Sequence, residues 1–327
     1  MSEKEKTMPR TLIFFAAMLW ASTAQGQEPP VIRAAVLKIG TVNWELATSV
    51  ENGLDEKRGF RLEIQPFADN GATRVAVQGG EADMAVADWI WVARQRAAGK
   101  DYVFIPYSRA VGGVVVPADS PAETLADLSG GKIGIAGGPL DKSWLILRAY
   151  ARQKHGLDLE AATEQVYGAP PLIFKSALGN EYAGAINFWH FLAKMKAAGM
   201  RELVSVETAG EALGLSADTP LLGYYFKEEF LDENPGLAQA LYDASREAKD
   251  MLAGSDAAWE AIRDRMNAAD DAQFDQLRKD WLAGVPARAP VDADAIGRML
   301  ALMAELGGAD LVGDATSVPE GLFADVK

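Results

Sequence analysis

Indoles, carboxylates and a guanidinium recur at one kind of position in this sequence, just after a short apolar run. The run Met84–Ala87 gives way to Asp88, Trp89 and Trp91. Asn43, Trp44 and Glu45 close the stretch GTVNWE, and Asp69 and Asn70 lie in ADNGA. Arg109 lies in YSRA, Asp141 and Trp144 in GGPLDKSW, and Asn187, Trp189 and His190 in NFWH. Flat indoles wall a small organic molecule while each N–H can still find a partner. Glu45, Asp69, Asp88 and Asp141 could receive an amine or other cation beside those rings. Asp69, Asp88 and Asp141 also each precede a helical pattern, where the same carboxylate serves as an N-cap. Arg109 could clamp a carboxylate or sulfonate, or pair with one of the aspartates. The amides of GGPLDKS open a helix and could add anion binding. About half of the five indoles (Trp44, Trp89, Trp91, Trp144 and Trp189) are expected to touch a ligand. Trp91 is the first candidate for packing, and Trp144 could equally be helix core.

Tests for catalysis fail. The chain has no G-x-S-x-G, no phosphate loop of the G-x-x-x-x-G-K-[ST] type and no H-E-x-x-H. DADAIG (292–297) begins like a calcium loop but lacks the third ligand and the closing Glu, so it reads as a solvated helix start. There are only two histidines. His155 stands at a helix end, where a cation suits the dipole, and only His190 falls at a strand end. The sequence has no cysteine, which removes thiolate metal sites, a cysteine nucleophile and lipid attachment. No metal and no cofactor is expected.

These residues need elements to place them. Apolar runs at 31–37, 61–67, 83–87, 102–107 and 131–137 read as strands, and they alternate with helical patterns at 45–59, 72–80 and 141–156. That alternation is the signature of parallel sheets covered by helices. A strand running into a helix is expected over 219–235, and an almost purely helical tail from Pro235 to Leu306. In open parallel sheets ligands bind outside the carboxyl ends of the strands, which is where the indoles and carboxylates fall.

The first 26 residues stand apart. Lys4, Lys6 and Arg10 precede an apolar core, Leu12–Ala21, and small residues follow to Gly26. This reads as a secretory signal peptide cleaved near Gly26, with Met8 as an alternative start. The whole chain carries a net charge of −14, which argues against nucleic acid or an anionic membrane as partner. No other apolar stretch approaches the ~20 residues needed to span a bilayer.

The segment EKRGFRLEIQPFADNGATRVAVQGGEADMAVAD resembles the first-lobe segment of solute-binding proteins of the nitrate/sulfonate/taurine family, which serve ABC importers. Gly59-Phe60, Asp69-Asn70-Gly71 and Gly80-Glu81-Ala82-Asp83 carry the likeness. ETLADLSGGKIGIAGGP resembles the start of the second lobe, and residues 226–252 the return to the first. The resemblance implies a two-lobed periplasmic-binding-protein (venus-flytrap) fold. Each lobe would be a mainly parallel sheet covered by helices, with a helical C-terminal tail on lobe one. Lobe one would span 28–111 and 220–327, and lobe two 112–219, with hinge crossings near 108–114 and 217–224. It further implies a periplasmic monomer that captures a small organic solute in the interlobe cleft and delivers it to an inner-membrane permease and ATPase. The tryptophans favour a sulfonate, a taurine-like zwitterion, an aromatic acid or a pyrimidine over a nitrate-sized ion. Two other roles go with the same fold: an enzyme resembling the thiamine-pyrimidine synthase, whose cysteine-rich motif this chain lacks, and a periplasmic sensor or chaperone subunit.

Overall fold

A computed structural model describes residues 28–327; the export segment read in residues 1–26, with its cleavage near Gly26, lies outside them. The chain opens with β1 (Val31–Leu37), α1 (Val42–Glu51), α2 (Leu54–Lys57), β2 (Arg61–Phe67), α3 (Asn70–Gly79), β3 (Met84–Asp88), α4 (Trp89–Ala97) and β4 (Tyr102–Ser108). It then builds β5 (Gly113–Val116), β6 (Lys132–Ala136), α5 (Lys142–His155), α6 (Leu159–Ala162), β7 (Glu164–Gly168), α7 (Pro170–Leu178), β8 (Gly184–Asn187), α8 (Trp189–Ala197), β9 (Arg201–Ser205) and α9 (Val206–Ala212). β10 (Leu222–Lys227) and α10 (Glu228–Glu233) follow, then α11 (Leu237–Gly254), α12 (Asp256–Ala261), α13 (Asp271–Ala283) and α14 (Ala293–Val312). The apolar runs read as strands all form strands. The single helix expected over 45–59 is two helices, broken at Asn52-Gly53. DADAIG is a helix start, with Asp292 capping the amides of Asp294 and Ala295.

Two five-stranded sheets result, in the orders β2-β1-β3-β10-β4 and β7-β6-β8-β5-β9. β1, β2 and β3 run parallel, and β10 runs antiparallel to both β3 and β4. In the second sheet β5 is the reversed strand. Each reversed strand follows a crossing between the sheets, by residues 109–112 and 213–221. At the first crossing Gly112 passes so close to β8 that an added Cβ would lie 2.2 Å from the Asn187 carbonyl oxygen. No side chain fits there, so only glycine lets the crossing lie flat on the second sheet.

The helical tail begins on the first sheet, where α11 packs on α1 and α2. It then reaches the second, with α13 against α8 and α14 against both α4 and α5. Its last residues shield the β4 edge: Phe104 donates to the Leu322 carbonyl at 2.7 Å and accepts from Ala324 at 2.9 Å. That pairing hides one exposed strand edge from other chains. Among the described residues no helix is long and apolar enough to cross a membrane.

Candidate functional site

The carboxyl ends of the two sheets face each other. The Asp88 carboxylate at the end of β3 lies 3.1 Å from the ammonium of Lys142, which opens α5 beyond β6. On the other flank Trp44 of α1 meets Trp189 of α8 edge-on, with ring centroids 5.7 Å apart. The space between is therefore the region where open α/β sheets take ligands.

Three helices at these ends start on an aspartate. Asp69 accepts from the Ala72 amide at 2.9 Å, Asp88 from Trp91 at 2.9 Å, and Asp141 from Trp144 at 3.0 Å. Each bond satisfies one of the amides that a helix start leaves without an intrahelical partner. Asp88 uses one oxygen for its cap and the other for Lys142. Burial raises the Asp141 carboxyl above its usual range; the Trp144 amide and Lys142 pull it back, and nearby Asp88 adds to the rise. Ahead of Asp141, Gly137 holds φ 97°, a conformation side chains rarely adopt, and so turns the loop off β6.

Several expected ligand residues are instead structural, and the wall expected from the indoles is corrected here. Trp89 and Trp144 have no exposed surface. Trp89 packs on Phe323 from the tail, with centroids 6.2 Å apart. Trp44 is covered by Trp259, and its Nε1 donates to the Arg265 carbonyl at 3.2 Å. Trp189 is buried in the same cluster with Phe274 and Trp281. Trp91, half-buried, stacks with Tyr102 beneath the Arg74 guanidinium, 4.4 Å from the ring. The reason is positional. Trp89 and Trp189 are the first residues of their helices and Trp44 and Trp144 the third, and all four turn inward, Trp89 and Trp144 into the core that includes strand residues and Trp44 and Trp189 among the helices of the tail.

Glu45 is corrected in the same way. It is fully buried between α1 and α11, where it accepts from the Tyr224 hydroxyl, from Ser245 at 2.6 Å and from Lys249 at 2.5 Å. The Lys249 ammonium also lies 5.1 Å from the Tyr107 ring centroid. Burial pulls the Lys249 ammonium below its usual range, and Glu45 opposes that pull. Asn43 donates to the carbonyls of Leu37 and Gly40, both at 2.8 Å, and so pins the turn after β1. Asn187 donates to the Pro170 carbonyl at 3.0 Å and accepts from the Phe188 amide at 2.8 Å, tying the ends of β7 and β8 together. Arg109 sits at the crossing and bonds Glu207 at 3.2 Å and the Ala217 carbonyl at 3.3 Å. Its acidic partner is thus a glutamate of α9 and none of the cleft aspartates. His190 is half-buried against Phe191, Trp189 and Phe188. Burial, with a smaller push from Lys194, lowers its ring to about 3, so it is neutral at pH 7. Asp69 and Asn70 remain exposed at the start of α3.

The exposed apolar side chains at the strand ends are others. Ile39 after β1 is 53% exposed, Leu140 after β6 is 38% and Phe188 after β8 is 40%. Asp69, Asn70, Asp88, Lys142 and His190 lie in the same stretches after the strands. A legible signal existed: Phe188 occupies the cap position ahead of α8, one residue before the helix turns its side chains inward. A hollow of about 740 Å³ lies at the opposite end of the first sheet, between Gln78, Lys100, Tyr102 and Lys227. A smaller one of about 200 Å³ lies at the crossing beside Arg109, Gly112 and Trp189.

The family model described as "NMT1/THI5 like" matches residues 46–257. No curated protein matches the chain. Among solved structures, the periplasmic aliphatic sulphonate binding protein SsuA from Escherichia coli is similar at 18% identity with a TM-score of 0.70, over 91% of this chain and 95% of that one. The alkanesulfonate-binding protein SsuA from Xanthomonas axonopodis pv. citri, bound to MOPS, is 18% identical with a TM-score of 0.64, over 90% and 96%. A Candida albicans protein described as having the generic periplasmic binding protein fold is 13% identical with a TM-score of 0.60, over 90% and 96%. At these identities the structures show a shared fold: two lobes, each a mixed sheet with flanking helices.

Proposed function

This chain belongs to the NMT1/THI5-like family, and from that premise we propose that it is an extracytoplasmic solute-binding protein which captures a small organic solute between its lobes and delivers it to an ABC importer. The observation that carries this is the facing of the strand ends, with Asp88 and Lys142 3.1 Å apart across the cleft and Ile39, Leu140 and Phe188 exposed beside them. Apolar side chains left in water beside a few charged groups suit a ligand with an apolar body and a charged group. The sulphonate-binding proteins of the same fold make sulfonates the first class to test, followed by zwitterions, aromatic acids and pyrimidines. The moving bodies are proposed as 28–111 with 220–327 and 112–219, in a periplasmic monomer whose partners are a permease and its ATPase.

We propose a non-catalytic role, which the way the polar groups are used supports. Asp88 and Asp141 each hold a helix amide, and His190 is packed among aromatic rings and neutral. A synthase that consumes its own histidine would need that ring free.

A thermal-shift screen of those solute classes tests the proposal. A solute at a hundredfold excess over its Kd stabilises the native state by about 2.7 kcal/mol, a rise of several degrees in Tm. A flat screen across every class, with nothing co-purifying by mass spectrometry, would contradict it.

Phe188→Ala is expected to weaken binding of the solute found by roughly 2 kcal/mol, the scale of an aromatic anchor. Its effect on unfolding should be smaller, about 1 kcal/mol, because the side chain is already 40% exposed. Titration calorimetry and urea unfolding read the two quantities separately.

A further inference from the structure

We propose that Asn70, after the carboxyl end of β2, is a site of spontaneous modification, where the side-chain amide is lost and a new carboxylate appears beside Asp69. The sequence has two Asn-Gly pairs, Asn52-Gly53 and Asn70-Gly71. Glycine has no Cβ to hinder its own nitrogen as that atom approaches the asparagine side chain. The sequence alone therefore ranks the two pairs equally. The reaction balances with water as its only co-reactant. The glycine backbone nitrogen loses its proton and bonds to the asparagine Cγ, the side-chain nitrogen leaves as ammonia, and a succinimide ring closes. Water then opens the ring at either carbonyl, giving aspartate or isoaspartate.

The structure separates the pairs. Asn52 follows the end of α1, where its side-chain amide donates to the Thr48 carbonyl at 2.8 Å and the Gly53 nitrogen donates to the Val50 carbonyl at 3.1 Å. Both reacting groups are held in bonds that must break first. Asn70 and Gly71 are both exposed. Asn70 is the first residue of α3. Among the described residues, neither its side-chain amide nor the Gly71 N–H has a hydrogen-bond partner. Asp69 caps the helix through the Ala72 amide, one residue further on, so the Gly71 N–H stays one of the open amides of a helix start. Helix ends fray by a residue or two, which lets Asn70 turn its Cγ toward the Gly71 nitrogen without loosening the sheet.

A carboxylate in the first turn of a helix suits the dipole, so the converted chain stays folded while this strand end gains a negative charge. An ageing population then holds two charge forms of the same strand end, the converted one less suited to an anionic group. That consequence rests on the solute-binding reading above; the reaction itself does not.

Native protein is held in mildly alkaline buffer, sampled over days, digested with trypsin and followed by mass spectrometry. Trypsin puts the two sites in separate peptides, Asn52 in the one ending at Lys57 and Asn70 in the one from Leu62 to Arg74. Asn70 should convert roughly tenfold to thirtyfold faster than Asn52, the factor that two net hydrogen bonds add to a barrier. In urea, where those bonds are gone, the two rates should converge. Intact protein should develop a more acidic form on anion exchange that coincides with the Asn70→Asp variant, and Asn70→Gln should not develop it. Equal native rates, a faster Asn52, or a native Asn70 that stays intact while the urea sample converts would overturn the assignment. No solute enters this measurement. Such a result would leave the solute-binding proposal standing, and a flat thermal screen would remove that proposal and leave the modification site.

Discussion

Glu45→Ala lowers the unfolding free energy of the solute-free protein by roughly 3–5 kcal/mol, the cost of breaking a buried pair and leaving one charge without its partner. The partner is Lys249, buried on α11 and 2.5 Å from the Glu45 carboxylate. Once Glu45 is gone, Ser245 still accepts from the ammonium at 2.6 Å, but no carboxylate offsets the desolvation that already pulls Lys249 down. Tyr224 also loses the acceptor for its buried hydroxyl. The double variant Glu45→Ala with Lys249→Met should recover part of the loss, because it no longer leaves a charge buried without its partner. Urea unfolding of the wild type, both single variants and the double variant measures this. A Glu45→Ala loss under about 1 kcal/mol would show that water reaches Lys249.

Trp89→Ala is expected to cost roughly 3–5 kcal/mol of folding stability, the range for truncating a large buried aromatic. Trp89 has no exposed surface and belongs to the core that α4 shares with the tail and α14. The indole also touches Phe323, whose segment pairs with the β4 edge, so the cavity should loosen the tail as well. Protection of the Phe104 and Ala324 amides from hydrogen exchange should fall along with global stability. A variant with wild-type stability would place the ring in solvent, contrary to its burial.

Strand and helix positions were legible because the two periods differ. Val31–Leu37 and Arg61–Phe67 coincide with the apolar runs that mark them, and α5 lies between the Asp141 cap and Gly156. The mixed character of the sheets was not legible. β5 and β10 are as apolar as their neighbours, and their reversal is set by the crossings at 109–112 and 213–221. The tail's reach to the second sheet was hidden for a similar reason. An amphipathic helix declares that it has a buried face, and α14 does not declare that α4 and α5 both supply its partner.

The site was half legible. Its location followed from the strand-end rule, and the capping of Asp69, Asp88 and Asp141 was readable from their place ahead of helices. Which aromatic stays exposed at the strand end was not legible, because a tryptophan one residue into a helix and a phenylalanine at its cap differ by a single position in sequence. The first falls in the packed layer, as Trp189 does, and the second in solvent, as Phe188 does. Glu45 was misread for want of any local sign of Lys249, 204 residues away in sequence.

The central claim is that a small solute binds between the strand ends against the exposed side chains there. Titration calorimetry of one solute against wild type, Phe188→Ala and Trp89→Phe tests it most directly. The account predicts roughly thirtyfold weaker binding for Phe188→Ala, equivalent to about 2 kcal/mol, and an unchanged Kd for folded Trp89→Phe. Wild-type affinity in Phe188→Ala together with lost affinity in Trp89→Phe would contradict it, and would move the binding surface from the cleft face to the core beside α14.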